Sequence, residues 1–190
     1  MKKFLLIIGF TFFTINLFSQ NNPPIIGYDK VQWGSSIQTV TQAYPTVREE
    51  TSSDAKIGIR EFSQSNVGNG IDTRIFQFFN NKLYKVSVFY EEQRDPMSAF
   101  LALAERLVGV YGKFDYQDTS QKPSGNNVLK FVDFIRYHNK NLTIFLRGVD
   151  VVNQYNNIIE NSLLVMYSNP ITENEIEEAK RKEIVNTFGL

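Results

Sequence analysis

His138 is the single histidine of the chain and its one imidazole base for neutral pH. A serine nucleophile would need this imidazole beside it, together with a carboxylate that orients the ring. Asp133 lies nearby, but residues five apart on a strand point to opposite faces of a sheet. The chain also contains no Gly-x-Ser-x-Gly turn. We therefore expect His138 to be a surface histidine beside a turn.

The carboxylates are dispersed along the chain. Glu49 and Glu50 are adjacent, as are Glu91 and Glu92, and adjacent side chains point apart, so neither pair is a ready acid/base dyad. Folding could still bring two distant carboxylates together. An envelope hydrolase with a carboxylate-based site therefore stays open as an alternative function.

The sequence contains no pattern that is typical of a cofactor or metal site. The absence of cysteine excludes disulfides, thiolate metal ligands and cysteine nucleophiles, and a single histidine excludes two-histidine zinc motifs. Asp115 and Asp118 lack the spacing of a calcium loop. The segments 68–70 and 109–113 match neither glycine-rich phosphate-binding pattern. We predict no catalytic residue, no cofactor and no metal ligand.

The charge balance argues against nucleic acid as a partner. The 190 residues include 20 basic and 20 acidic side chains, whereas nucleic-acid binding needs a clustered basic surface. The basic run 180–182 is balanced by neighbouring glutamates, which is typical of a solvated helix. A hydrophobic content of 42% and an aromatic content of 14% indicate a folded chain.

The first twenty residues have the pattern of a secretory signal peptide. Lys2 and Lys3 precede an apolar run over 4–18, and Ser19 and Gln20 mark a polar boundary suited to cleavage. The run is short and interrupted for a membrane span, and no cysteine follows it for lipid attachment. We predict an exported protein, periplasmic or secreted, without a lipid anchor or a stable membrane span after cleavage.

Two segments resemble β-hairpins, and each follows a helix. Strand-like residues flank the turns 80–82 and 139–141, and both turns contain asparagine. One helix begins near Ser36 and ends before Pro45; the other has Asp95 as N-cap, Pro96 at its first position and Gly112 as its stop. Each helix start lies 44 residues before the corresponding turn, which is typical of a repeated unit.

These elements predict an α+β fold with two tandem α-β-β(-β) units, whose helices pack on antiparallel sheet. The predicted organisation is a signal peptide over 1–20, units over 21–92 and 93–170, and a charged C-terminal helix or tail over 171–190. Further strands are predicted over 25–31, 57–62 and 162–167. We predict a polar loop over 118–127 and a capping box from Thr172 to Glu175.

The helix-plus-hairpin units resemble the beta-lactamase inhibitory protein fold and the domain of small outer-membrane-assembly lipoproteins. The opening Trp33-Gly34-Ser35-Ser36-Ile37, with Val40 and then Tyr44-Pro45, resembles that of many bacterial envelope proteins. The chain departs from both families, because it lacks the cysteines of the inhibitor and the lipidated cysteine of the assembly protein. The resemblance implies a protein-binding module, although a shared fold does not establish function.

Aromatic residues on the first hairpin are candidates for an interaction surface. A sheet covered on one face only would expose one set of side chains to solvent, whereas packing of the repeated units over both faces would bury both sets. The candidate surface residues are Phe76, Phe78, Tyr84, Phe89 and Tyr90. We therefore expect a non-enzymatic module that binds an envelope protein or another ligand. A carrier with an aromatic-lined cavity for a small hydrophobic ligand is a second alternative.

Overall fold

The computed structural model describes residues 27–188, so the predicted signal peptide lies outside the described residues. The described chain mixes helices with antiparallel strands, in agreement with the predicted α+β class. Its first part contains β1 (Gly27–Tyr28), β2 (Val31–Gln32), α1 (Ile37–Ala43), β3 (Arg48–Glu50), β4 (Ile59–Gly68), β5 (Ile71–Phe79) and β6 (Lys82–Tyr90). Its second part contains α2 (Pro96–Tyr111), β7 (Tyr116–Ser124), β8 (Asn127–Asn139), β9 (Leu142–Val152), β10 (Ile158–Ser168) and α3 (Pro170–Phe188).

Eight of the strands form one antiparallel sheet. Its strand order is β3-β4-β5-β6-β10-β9-β8-β7, so β6 and β10 meet at the centre while β3 and β7 form the two edges. The central pair is aligned with Val165 opposite Val88. Strands β1 and β2 form a separate two-stranded ribbon, whereas the sequence predicts one strand over 25–31, of which residues 25 and 26 lie outside the described residues.

Both predicted hairpins are confirmed. Strands β5 and β6 join through Asn80 and Asn81, whose φ angles of 49° and 62° lie in the left-handed region that asparagine tolerates better than most residues. The Asn81 side chain also accepts a hydrogen bond from the Ile37 backbone N–H at 3.2 Å, which ties this turn to α1. Strands β8 and β9 pair over nearly their whole lengths.

The helices α1 and α2 cover one face of the sheet, which we call the helix face. Val40 and Tyr44 pack on Phe76 and Phe78 on one side, and Phe100 packs on Leu146 on the other. Trp33, Tyr90 and Tyr167 contact both groups, so the apolar core is continuous across the sheet centre.

Local capping explains where α1 and α2 begin. The Ser36 hydroxyl accepts a hydrogen bond from the Thr39 backbone N–H at 3.2 Å, and the Asp95 carboxylate accepts one from the Ser98 N–H at 3.1 Å. Gly112 ends α2 with a φ of 85°, which a residue with a side chain rarely adopts. These predicted helix boundaries are confirmed.

The predicted capping box of the last helix is wrong. Helix α3 begins at Pro170, before Thr172, because the Asn169 side chain accepts hydrogen bonds from the N–H groups of Ile171 at 3.0 Å and Thr172 at 3.3 Å. Pro170 suits a first helical position, since it has no N–H to satisfy there. Thr172 and Glu175 match the capping-box pattern in sequence, but the cap that forms is the side chain of Asn169.

Helix α3 lies on the face of the sheet opposite to α1 and α2. We call this the open face, since α3 covers it only in part. Ile176 packs on Ile59 and Tyr84, and ion pairs join Glu173 to Lys85 at 3.6 Å and Lys180 to Asp54 at 3.0 Å. Residues 181–187 of α3 are exposed.

The predicted polar loop over 118–127 is wrong. This segment forms most of strand β7 and a two-residue turn that returns into β8, with Ser124 opposite Asn127. Every residue of β7 is exposed, and an edge strand needs no apolar alternation when neither of its faces is buried. Gly125, with a φ of 59°, makes the turn possible.

The remaining predicted strands are present but longer. Of the predicted strand 57–62, residues 59–62 belong to β4, which runs from Ile59 to Gly68, whereas residue 57 ends a short 3-10 helix (Ala55–Ile57). The segment 162–167 lies within β10. Within residues 27–188, no helix is both long enough and apolar enough to cross a membrane.

Candidate functional site

A cleft of about 470 Å³ opens on the helix face, between the first turns of α2 and the strands β7–β10. The α2 side contributes Pro96, Met97 and Phe100, and the sheet contributes both apolar and polar residues. The sheet residues lining the cleft are Thr119, Ser120, Gln121, Lys130, Phe131, Val132, Gly148, Val149, Asp150, Ser162 and Leu163.

The apolar part of the cleft is held in place by packing. The Phe100 ring is buried and meets Phe134 edge-on, with ring centroids 4.9 Å apart. Gly148 lies beneath Phe100 on β9, where the missing side chain lets the ring approach the strand. Met97 remains half exposed at the mouth, so a ligand could reach apolar surface without unfolding any element.

One carboxylate and one ammonium group face each other in the cleft. Asp150 on β9 lies directly opposite Lys130 on β8. Burial raises the pKa of the Asp150 carboxyl, and the nearby Lys130 partly offsets that effect. The Lys130 ammonium donates to the Asn156 side chain at 3.1 Å, and among the described residues Asp150 forms no ion pair. The carboxylate is therefore free to accept a hydrogen bond from a ligand.

The open face carries a second cluster, built around an ion pair. The Arg147 guanidinium donates two hydrogen bonds to the Asp133 carboxylate, both at 2.7 Å. It also stacks between Phe131 and Phe145, 5.1 and 4.9 Å from their ring centroids. Sequence reasoning missed this cluster, although alternation along β8 and β9 places all four side chains on one face.

The five aromatic residues predicted as an interaction surface are not brought together. Phe76 and Phe78 are fully buried beneath α1, and Tyr84 is buried beneath α3. Tyr90 packs into the core on the helix face, and Phe89 is partly exposed on the open face. The sequence could not separate these environments, since a strand buried on both faces and a strand with one exposed face can have the same composition.

His138 is partly buried near the end of β8. Its Nδ1 atom lies 3.2 Å from the Tyr111 carbonyl oxygen, and its ring meets the Tyr111 ring edge-on. Its contacts are with the end of α2 rather than with a serine or a carboxylate. His138 therefore packs the end of α2 against strand β8 of the sheet.

Among the described residues, folding brings two pairs of carboxylates to facing positions. Glu50 on β3 lies opposite Glu61 on β4, where Ser63 donates to Glu50 and Gln77 donates to Glu61. Asp118 on β7 lies opposite Asp133 on β8, but both oxygens of Asp133 are already bound by Arg147. The adjacent Glu49 and Glu50 point apart, as the sequence predicts, since Glu49 binds Arg60 at 2.7 Å and Glu50 lies near Ser63. Across residues 27–188, no three histidine, aspartate or glutamate side chains are grouped as a metal site requires.

Comparisons of the whole chain with protein-family models, with curated proteins and with solved structures found no match.

Proposed function

We propose that this chain is an exported binding protein that holds a small ligand in the cleft between α2 and β7–β10. The ligand has a flat apolar body and a hydrogen-bond-donating group, such as an amine. The observation that supports this proposal is a preformed cleft of about 470 Å³, which joins apolar walls to one partly buried carboxylate. A concave, mainly apolar site with a few polar groups is the usual form of a small-molecule site.

The apolar body would lie against Phe100, Val132 and Leu163. Phe100 is buried and fixed by its neighbours, so little ordering of the protein is needed on binding. The half-exposed Met97 at the mouth would become covered by the ligand. Burying this surface supplies the affinity, since removing apolar area from water is favourable.

The donor group of the ligand would meet Asp150. A carboxylate that burial has partly stripped of water gains more from a charged hydrogen bond than an exposed carboxylate does. Lys130 is directed to Asn156 at the exposed rim, where solvent screens its charge more than that of the partly buried Asp150. An aromatic or aliphatic amine therefore fits the cleft better than an acid of the same shape.

Titration calorimetry with tryptamine and indole-3-acetate tests this specificity. The two probes share a ring system and differ in the charge of the side chain. We expect tryptamine to bind at least about tenfold more tightly, and Asp150→Asn to remove that difference. Equal binding of both probes to the wild-type protein would contradict the assigned role of Asp150.

Two tryptophan variants on β7 test the position of the site. Thr119→Trp fills the cleft from its edge, whereas Tyr116→Trp places the same tryptophan side chain on the opposite face of the same strand. Both positions are exposed, so neither change disturbs the core. We expect Thr119→Trp to abolish tryptamine binding and Tyr116→Trp to leave it unchanged. Equal affinities of the two variants for tryptamine would mean that it binds outside this cleft.

Export is part of this proposal, and the sequence pattern over 1–20 supports it. The mature chain would begin at Gln20 or Asn21. The intact mass of the protein recovered from the envelope or the medium is the test. A mass that includes residues 1–18 would contradict cleavage.

A tandem arrangement of two units is also part of the proposal. Helix α1 is followed by β3–β6 and helix α2 by β7–β10, and the sheet order is mirrored about its centre. The equal 44-residue spacing of helix start and hairpin turn supports the same interpretation.

A protein partner on the open face is the second candidate function. The cluster of Arg147, Phe131 and Phe145 supports it, because arginine and aromatic side chains are enriched in binding hot spots. Capture experiments on envelope extract separate the two candidates: Phe145→Ser would remove a partner of the open face, while Thr119→Trp would not. The hydrolase alternative is less well supported, since Asp150 is the one carboxylate among the cleft residues.

A further inference from the structure

Strand β7 has a free edge that is nine residues long. It pairs with β8 on one side and is the last strand of the sheet, so its other side has no neighbouring strand. All its residues are exposed. The opposite edge strand, β3, has three residues. A long strand with unpaired backbone N–H and C=O groups is a template for pairing with another strand.

The turn after β7 determines which backbone groups point to the free edge. The two-residue turn closes on the pair Ser124 and Asn127, and a turn of this length closes on a hydrogen-bonded pair. Backbone groups then alternate along the strand, so residues 117, 119, 121 and 123 direct theirs outward. Pro123, which has no N–H to offer, falls among these outward positions, as expected for proline on an edge strand.

We propose that β7 pairs with β7 of a second copy of this chain, antiparallel about a two-fold axis at Ser120. In this register Asp118 of each copy lies directly opposite Lys122 of the other. Thr119 and Gln121 form the hydrogen-bonded pairs beside the axis, and Gln117 donates to the carbonyl of Pro123. The pairing makes about six backbone hydrogen bonds and joins the two sheets into one.

Charge complementarity selects this register over its neighbours. The outward backbone groups pair only when the axis passes through a residue. Moving the axis by one residue places Asp118 or Lys122 opposite a neutral residue, and moving it by two places like charges opposite each other. The axis at Ser120 is thus the one that matches both charges at once.

Asp118 and Lys122 have no ion-pair partner in the described part of the chain. Asp118 lies opposite the like-charged Asp133 on β8. Lys122 of the second copy would give Asp118 an opposite charge, as Arg147 gives Asp133. A two-fold pairing also closes on itself, whereas pairing of β7 with β3 would continue as an open fibre.

Charge reversal is the decisive experiment. Sedimentation of the protein expressed from the full 190-residue sequence gives the dimer dissociation constant. We expect D118K or K122D to raise that constant roughly tenfold, because each change opposes like charges twice in the symmetric dimer. The double variant D118K/K122D restores both pairs and should return the constant to within about threefold of wild type.

Cysteine cross-linking tests the axis itself. The chain has no cysteine, so any disulfide formed by a single introduced cysteine joins two copies. At the axis the paired Cα atoms lie about 4.5 Å apart, which a disulfide can bridge. We expect S120C to form a covalent dimer under mild oxidation and S124C, eight positions out of register with its own copy, to remain monomeric.

A monomer at all accessible concentrations would overturn the proposal, as would a dimer whose constant is the same in wild type, D118K and the double variant. Equal cross-linking of S120C and S124C would also overturn it. Both charges lie on the open face, so these changes leave the cleft intact and tryptamine binding is measured independently.

Discussion

The Phe100 ring packs directly on Gly148, with its Cδ2 atom 3.0 Å from the position that a Cβ atom would occupy. This contact couples α2 to β9 and forms one wall of the cleft. Phe100 is 3% exposed, so the ring has little room to move away. Residue 148 therefore governs both the stability of the α2 packing and the shape of the proposed site.

Gly148→Val should destabilise the protein and narrow the cleft. The new side chain must displace a buried aromatic ring, and such overpacking costs about 1–3 kcal/mol. Urea denaturation, followed by Trp33 fluorescence, measures the loss. Gly109→Ala is the matched control, since Gly109 lies in α2 with nothing within 4 Å of the added Cβ.

The control variant Gly109→Ala should change the free energy of unfolding in the opposite direction to Gly148→Val. Alanine in a helix interior is favoured over glycine by about 0.5–1 kcal/mol, so Gly109→Ala should raise the free energy of unfolding. If Gly148→Val were as stable as wild type, Phe100 would have to be mobile, and the cleft would not be preformed.

The raised pKa of Asp150 has a consequence for stability. Because burial raises this pKa above the ordinary value of 3.8, the folded chain holds the proton more tightly than the unfolded chain does. The stability that this group contributes is therefore present at low pH and is lost as pH rises through the raised pKa. Asp150→Asn removes this pH dependence. The free energy of unfolding of the variant should therefore rise relative to that of wild type as pH increases above about 4.

Denaturant unfolding at a series of pH values measures that difference. Glu92→Gln, which removes an exposed carboxylate, controls for the change in net charge. A constant difference between Asp150→Asn and wild type across the series would mean that Asp150 is solvated like the control residue.

Asp133 and Arg147 should show measurable coupling in a double-mutant cycle. Their side chains are 14% and 36% exposed, and two hydrogen bonds join them. We expect a coupling of about 1 kcal/mol for Asp133→Asn with Arg147→Gln, from thermal or denaturant unfolding. The pair of Glu49 and Arg60, which is about half exposed, is the comparison and should show a smaller coupling that added salt screens.

Asn169→Ala should weaken the start of α3. The side chain caps two backbone N–H groups, and replacing such a cap by alanine costs about 1 kcal/mol. Hydrogen exchange should then accelerate in α3 before it does in the sheet. Asn174→Ala, within the same helix and exposed, should instead be neutral or slightly stabilising, since alanine favours helix.

Signals carried by neighbouring residues were readable from the sequence. The Asn80-Asn81 turn, the Ser36 and Asp95 caps and the stop at Gly112 all depend on contacts within a few residues, so their sequence patterns predict them directly. The polar strand β7 was missed for the complementary reason. Its extended conformation depends on pairing with β8 rather than on its own composition.

The amino-acid sequence by itself determined the α+β class, both hairpins and the starts of α1 and α2, because short-range sterics and hydrogen bonding decide those features. Only the tertiary structure decided which aromatic residues are buried, that Gly148 meets Phe100, and that Asp118 lies beside Asp133. These relationships depend on strand register and sheet order. A one-residue shift in register would move every side chain to the opposite face, and a local pattern does not specify that choice between distant strands.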